Sequence, residues 1–188
     1  MRGGVVAYPT DTVYGLGCDP LNPNALRRLV KAKNRAIGQL PVLVDTLGRA
    51  EELARFNTTS ITLARRFWPG PLTLVAPTRI RFPDLVTGAT GFVGLRVPAH
   101  KDALGLIRSC GGALIGTSAN HSGSAALRRS EDVASELGKS IDLVLDGRVP
   151  RSSQESTVVS IHDNSISFLR EKSISREKII SVAGKSGG

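Results

Sequence analysis

The chain has 188 residues, 40% of them hydrophobic, a mean hydropathy of −0.02 and a formal net charge of +9. One domain of this length buries a sizeable core, and no run of 18 apolar residues exists to span a bilayer. The opening MRGGVVAYPT lacks an apolar signal-peptide segment, and the cationic excess favours anionic partners (nucleotides, phosphates or nucleic acid) without separating them.

The apolar run from Val5 to Tyr8, closed by Pro9, predicts a buried strand. Asn22-Pro23-Asn24 is a helix-start signal, and a helix follows to about Lys33 with Leu26, Leu29 and Val30 on one face. Pro41 to Val44 reads as a second strand. Thr46 can cap a helix carrying Leu47, Ala50, Leu53 and Ala54. A further helix from about Ser60 to Phe67 is stopped by Pro69-Gly70-Pro71. Strands are then expected at 72–76 and 93–97, a helix at 102–110, a strand at 113–116 and a helix from Ser130 to Gly138. Three last strands are expected at 141–145, 157–161 and 166–169. This interleaving predicts an α/β fold with a mixed sheet. The chain divides into one domain over 1–170 and a polar tail over 171–188, with disorder expected from Gly184 to Gly188.

Four segments could carry chemistry. Pro9 to Gly17 follows directly on a buried strand, where ligand sites of α/β proteins gather; Thr10 and Thr12 supply hydroxyls, Asp11 a carboxylate and Tyr14 a phenol. An ordinary strand-to-turn transition would use the same residues. The stretch from Pro20 to Val44 has no acidic residue. Lys33 and Arg35, at the helix end, can grip phosphate or simply oppose the helix dipole. Gly116 to Gly123 follows another strand and offers small donors to an anion, or forms a plain turn. Ser156-Thr157 opens a late strand and Arg170 ends the next, so both could face the same site. His121 is not chosen as a base, and His100 and His162 read as structural or surface residues.

Several mechanisms are excluded by motif. Gly138-Lys139-Ser140 and Gly184-Lys185-Ser186 lack the upstream glycine of a P-loop. There is no GxGxxG or HExxH, and three histidines with two dispersed cysteines make no zinc set. Cys18 and Cys110 form no CxxC, which suits a reducing, cytoplasmic setting. Aromatic residues are only 4%, which argues against stacking-based single-strand RNA binding.

Taken in order, Tyr8 to Asp19 (YPTDTVYGLGCD), Phe67 to Val75 (FWPGPLTLV), Leu95 to His100 (LRVPAH) and Gly116 to Gly123 (GTSANHSG) resemble the Sua5/YciO/YrdC family. The resemblance covers about Gly3 to Arg170. It implies a twisted, mixed and mostly parallel sheet with flanking helices around a basic cavity. The family's lysine, arginine, serine and asparagine tetrad falls on Lys33, Arg35, Ser118 and Asn120. The threonine associated with the L-threonine substrate falls on Thr12 or Thr10, and the late serine and arginine that approach the nucleotide on Ser156 and Arg170. The implied reaction converts L-threonine, bicarbonate and ATP into L-threonylcarbamoyl-AMP and pyrophosphate for t6A modification at position 37 of tRNA. Mg²⁺ is expected to arrive with ATP and is assigned no protein ligand. tRNA or double-stranded RNA and the t6A transfer machinery are further implied partners.

The chain departs from the family pattern in four places. Ala36 replaces a proline, the segment before Leu40-Pro41 is about one residue short, the given sequence starts almost at the first strand where family members usually have a helical stretch before Gly3-Gly4, and no glycine stands shortly after Arg170. The length suits the short YrdC-like form, without the second domain of the longer Sua5 form. Competing readings are an RNA-binding module without synthase activity and a YciO-like protein acting on something else. A carbamoyl-transfer module of the hydrogenase-maturation type belongs to much longer chains. Cations converging inside a cavity would favour synthesis, and cations spread over a convex face would favour RNA.

Overall fold

The computed structural model describes residues 3–34, 38–151, 153–162 and 165–184. Arg35 and Ala36, with the loop they shape, therefore lie outside the described residues. So does the expected disorder of 185–188; Gly184 itself caps the last helix.

In chain order the elements are β1 (Val6–Tyr8), β2 (Gly15–Gly17), α1 (Pro23–Ala32), β3 (Val42–Val44), α2 (Leu47–Leu53), α3 (Thr58–Phe67), β4 (Leu72–Pro77), α4 (Asp84–Thr87) and β5 (Phe92–Arg96). They continue with α5 (Lys101–Ser109), β6 (Ala113–Ile115), β7 (Thr117–Ser118), α6 (Ser130–Leu137), a 3₁₀ turn, β8 (Leu143–Val144), β9 (Thr157–His162), β10 (Ser165–Arg170) and α7 (Arg176–Ala183). The N-caps follow their side chains. Asn22 accepts from the backbone N–H of Asn24 and Ala25, Thr46 from Arg49, and Asn57 from Ser60.

The strands form two sheets, ordered β7-β2-β1-β8 and β10-β9-β4-β5-β3-β6. The α/β class and mixed pairing agree with the sequence reading. The parallel share is smaller than expected: β1–β8, β3–β5 and β4–β9 are parallel, and the other five described pairings are antiparallel. Short connections account for two of these five. β1 returns directly as β2, and β9 as β10, where parallel pairing would need a long crossover.

The chain changes sheets at Gly116. β6 pairs with β3 in the larger sheet, and one residue later β7 pairs with β2 in the smaller. A Cβ at Gly116 would lie 2.3 Å from Cγ of Leu43, so only glycine lets the backbone pass there.

The larger sheet separates core from site by the two-residue period of its strands. Leu72 and Leu74 of β4 and Val159 and Ile161 of β9 point into a core with Leu63, Phe67 and Ile179. Thr73, Val75 and Val158 point the other way. Ile179 belongs to α7, which the sequence reading left inside a polar tail; α7 packs against α3. β2, β7 and α4 were also not anticipated. They are short, and β2 is two glycines around one buried leucine.

Candidate active site

Between the two sheets lies a cavity of about 640 Å³. Its floor is the polar-facing side of β4, β5 and β9, with Thr73, Val75, Gly94 and Val158. Its walls carry most of the side chains that the sequence reading singled out.

One wall is built from the end of α1 and the loop after β6. Lys33 caps α1, and Asn34 follows with φ of 48°, a left-handed conformation that asparagine tolerates and that ends helices. Lys33 is 2% exposed. Its Nζ donates to the backbone carbonyls of Ser118 and, at 2.9 Å, Asn120, while the Lys33 carbonyl accepts from Ser122 N–H at 3.1 Å. The cation thus stitches the GTSAN loop to the helix end.

Asn120 is 6% exposed. Its Nδ2 donates to the carbonyls of His121 (3.0 Å) and Ser124 (2.7 Å), which uses both amide hydrogens. Its Oδ1 is buried with no partner among the described residues. The group Asn120 has left to offer is therefore an acceptor, suited to a hydrated cation or an N–H or O–H donor rather than to a phosphate oxygen.

The opposite wall joins the start of β9 to the end of β10. Arg170 donates from Nε to the Ser156 carbonyl and from Nη2 to Ser156 Oγ, both at 2.9 Å. Ser156 Oγ shares a 2.9 Å hydrogen bond with Thr73 Oγ1, and Arg170 Nη1 pairs with Glu155 at 3.5 Å. A β-bulge between Phe168 and Arg170 sets two residues against one across β9, so Leu169 and Arg170 both line the cavity.

The corner between the walls is the loop after β1. Thr10 Oγ1 accepts from the backbone N–H of Thr12 and Val13, donates to the Val13 carbonyl at 2.7 Å, and lies 3.0 Å from Thr12 Oγ1. Thr10 is spent holding the turn. Thr12 lines the cavity and Thr10 does not.

Lys33, Ser118, Asn120, Ser156, Arg170 and Thr12 are thus brought together around one cavity. His121 is held from its backbone N–H by Glu136 at 2.8 Å, and His100 contacts the Arg148 carbonyl at 3.0 Å. Cys18 and Cys110 are free thiols, and burial pushes the Cys18 thiol up to about 12.

Sequence reasoning missed Arg96. Its guanidinium, 5% exposed, pairs with Asp11 and donates to the Gly70 carbonyl (2.9 Å) and to Thr12 Oγ1 (3.2 Å). One side chain therefore ties together three of the four motifs. Burial lowers its pKa, opposed chiefly by the charge of Asp11. The available signal was an arginine ending a buried apolar strand. Thr73, alternating with Val75 in β4, was likewise legible as a floor residue.

The fold and site define an α/β domain with a polar cavity between two sheets, lined by Lys33 on one side and Arg170 on the other. The chain belongs to the Sua5/YciO/YrdC family, whose model, described as Telomere recombination, matches residues 1–172. It is 41% identical over 162 residues to a threonylcarbamoyl-AMP synthase of Thiobacillus denitrificans, covering 85% of this chain and 86% of that protein. It matches the structure of P. abyssi Sua5 complexed with L-threonine with a TM-score of 0.92 and 37% identity, over 97% of this chain and 54% of that one. The chain thus spans about half the length of that relative. E. coli YciO matches with a TM-score of 0.82 and 25% identity, over 92% of this chain and 84% of that one.

Proposed function

We propose that this protein is an L-threonylcarbamoyladenylate synthase, a nucleotidyltransferase that converts L-threonine, bicarbonate and ATP into L-threonylcarbamoyl-AMP and pyrophosphate. The observation that carries this reading is the convergence of Lys33, Ser118, Asn120, Ser156, Arg170 and Thr12 on one cavity. Relatives named threonylcarbamoyl-AMP synthase, at 41% and 37% identity, support it.

The chemistry follows from charge. Bicarbonate takes up a proton and releases water to give CO₂, and the threonine amine adds to that CO₂ and loses a proton, giving a carbamate. A carbamate oxygen attacks the α-phosphorus, and the bond to the pyrophosphate oxygen breaks. Negative charge crowds together throughout, so placement and electrostatic stabilisation carry the rate. Lys33 supplies positive charge on one wall, and Arg35 is assigned the same task by its place in the family tetrad. Ser118 orients phosphate oxygens. Arg170, held by Ser156, takes the nucleotide on the opposite wall. Thr12 is the substrate-binding threonine, with Thr10 holding it in place.

Mg²⁺ is read as arriving with ATP. Among the described residues no group of three or more His, Cys, Asp or Glu could cage a metal. The residue that fits it is Asn120, whose buried Oδ1 has no partner there and can receive the ion or one of its waters. When bound, the ion would neutralise triphosphate charge.

In this reading the product feeds t6A modification of tRNA, and a cytoplasmic setting is proposed with it from the two unpaired cysteines. Among the described residues no helix is long and apolar enough to cross a membrane. Direct contact with tRNA or double-stranded RNA rests on a separate observation. Exposed Arg55, Arg79 and Arg81 are gathered where Arg55 N–H bonds the Pro77 carbonyl (2.8 Å) and Arg79 N–H that of Leu53 (2.9 Å).

Incubation of the purified protein with ATP, L-threonine and bicarbonate tests the synthase reading. Pyrophosphate release that requires all three is expected. Release that ignores threonine, or none at all, would sink it.

A further inference from the structure

Arg128 belongs to none of the four motifs. Tyr14 N–H donates to the Leu127 carbonyl at 2.9 Å, which brings residue 128 alongside the Thr12 corner. From there the Arg128 guanidinium reaches a distant segment. Its Nη1 donates to the Pro150 carbonyl and to Ser153 Oγ, both at 2.9 Å, and its Nη2 donates to the Ser153 carbonyl. Ser153 Oγ, held as an acceptor by the arginine, faces two carbonyls with its one hydrogen: that of Thr12 and, at 2.7 Å, that of Pro150, which Arg128 already serves. Two residues on, the chain delivers Glu155 and Ser156 to the cavity wall.

Among the described residues no carboxylate pairs with Arg128. Its hydrogen bonds go to carbonyls and one hydroxyl, and its planar fork spans acceptors that a lysine ammonium, a point charge, could not hold at once. Ser156 has independent support from Thr73 and Arg170. The Thr12 carbonyl has Ser153 and a long, 3.5 Å approach of Arg128 itself.

We propose that Arg128 is a positioning residue for the threonine side of the cavity: through Ser153 it holds the Thr12 backbone and so the shape of the corner that receives the amino acid. This rests on the synthase reading for the identity of the ligand, but the clamp itself is a property of the chain. Arg128 touches no reacting atom. Its loss should weaken threonine binding and leave the chemical step and the nucleotide wall in place.

The test measures pyrophosphate release against threonine and against ATP for the wild type, Arg128→Ala, Arg128→Lys, Ser153→Ala and the Arg128→Ala/Ser153→Ala double variant. Arg128→Ala and Ser153→Ala should each raise KM for threonine about tenfold with kcat and the ATP KM within about twofold, the signature of lost binding rather than lost chemistry. Arg128→Lys should fall nearer Arg128→Ala than the wild type. The double variant should be no worse than Arg128→Ala, because the two residues act in series. Amide hydrogen exchange over residues 10–14, which needs no substrate, should quicken in Arg128→Ala and in Ser153→Ala. Equal rises in both KM values, an unchanged threonine KM, or unchanged exchange at 10–14 would overturn the proposal. A wild type that releases no pyrophosphate removes the synthase reading instead, and the exchange data then decide the clamp alone.

Discussion

The two cationic walls of the cavity are built on opposite plans. On the Lys33 wall the cation is buried and bonds backbone carbonyls, so it shapes the loop as well as charging the site. On the Arg170 wall the cation is about 40% exposed and held by a serine hydroxyl and carbonyl. Removing the first disturbs a loop; removing the second disturbs a side-chain chain that ends on Thr73. Charge near a ligand is thus supplied once by scaffold and once by reach, and the two should fail differently.

Arg96 stands behind the corner and the floor that the walls share, bonding Thr12 on one side and Gly70, at the entry to β4, on the other. Arg96→Met leaves Asp11 nearly buried without its partner, which costs about 3–5 kcal/mol. Chemical denaturation should show that loss, and Arg96→Met/Asp11→Leu should recover part of it. If the single variant melts like the wild type, the corner and floor do not depend on this support.

Lys33→Ala comes next. It should lower kcat/KM about 100-fold or more, since charge stabilisation and loop shape go together. Hydrogen exchange over 117–123 should also rise, which separates this wall from the other. Arg170→Ala should be milder: about a tenfold rise in the ATP KM, on the scale of one charge-assisted contact. Exchange over 117–123 should be unchanged. A threonine KM that rose as much as the ATP KM would contradict the division of the cavity into two walls.

How much of this was legible depended on where each signal lay. The apolar runs at 6–8, 42–44 and 72–77 announced strands because burial on both faces leaves little else there, and 157–162 by its alternation of buried and half-buried residues. The grouping of Lys33, Ser118 and Asn120 was legible through the resemblance of their motifs to the family's tetrad. That the hydrogens of Asn120 are already used was not, because the carbonyls of His121 and Ser124 accept them only once the loop is folded. Thr10 and Thr12 looked equivalent in sequence; the turn uses one hydroxyl and leaves the other beside the cavity. α7 was missed because Arg176, Glu177 and Lys178 give the tail a polar composition, while Ile179, Val182 and Ala183 form a stripe at helical spacing. Arg128 carried no local signal, since its partners lie 22 and 25 residues away.

The smallest effect is expected far from either wall. Asp142 accepts from Arg28 Nη2 at 2.8 Å and from Val5 N–H at 2.7 Å, tying the start of the smaller sheet to α1. The Arg28 side chain first, and the Val5 N–H second, hold the Asp142 carboxyl below the usual carboxylate range. A group with a lowered folded-state pKa stabilises the protein above its ordinary pKa and loses that contribution as pH falls through the lowered value. Both side chains are about half exposed, so solvent screens most of the attraction. Asp142→Asn should therefore lower Tm by only about 1–2 °C at pH 7. The gap to the wild type should close as pH drops below the carboxylate range, and both KM values should stay at wild-type level. A gap that persisted at low pH would mean that packing, rather than charge, holds β1 to α1. A shift in either KM would mean that the walls feel the strand's far end, and the comparison between them would have to include it.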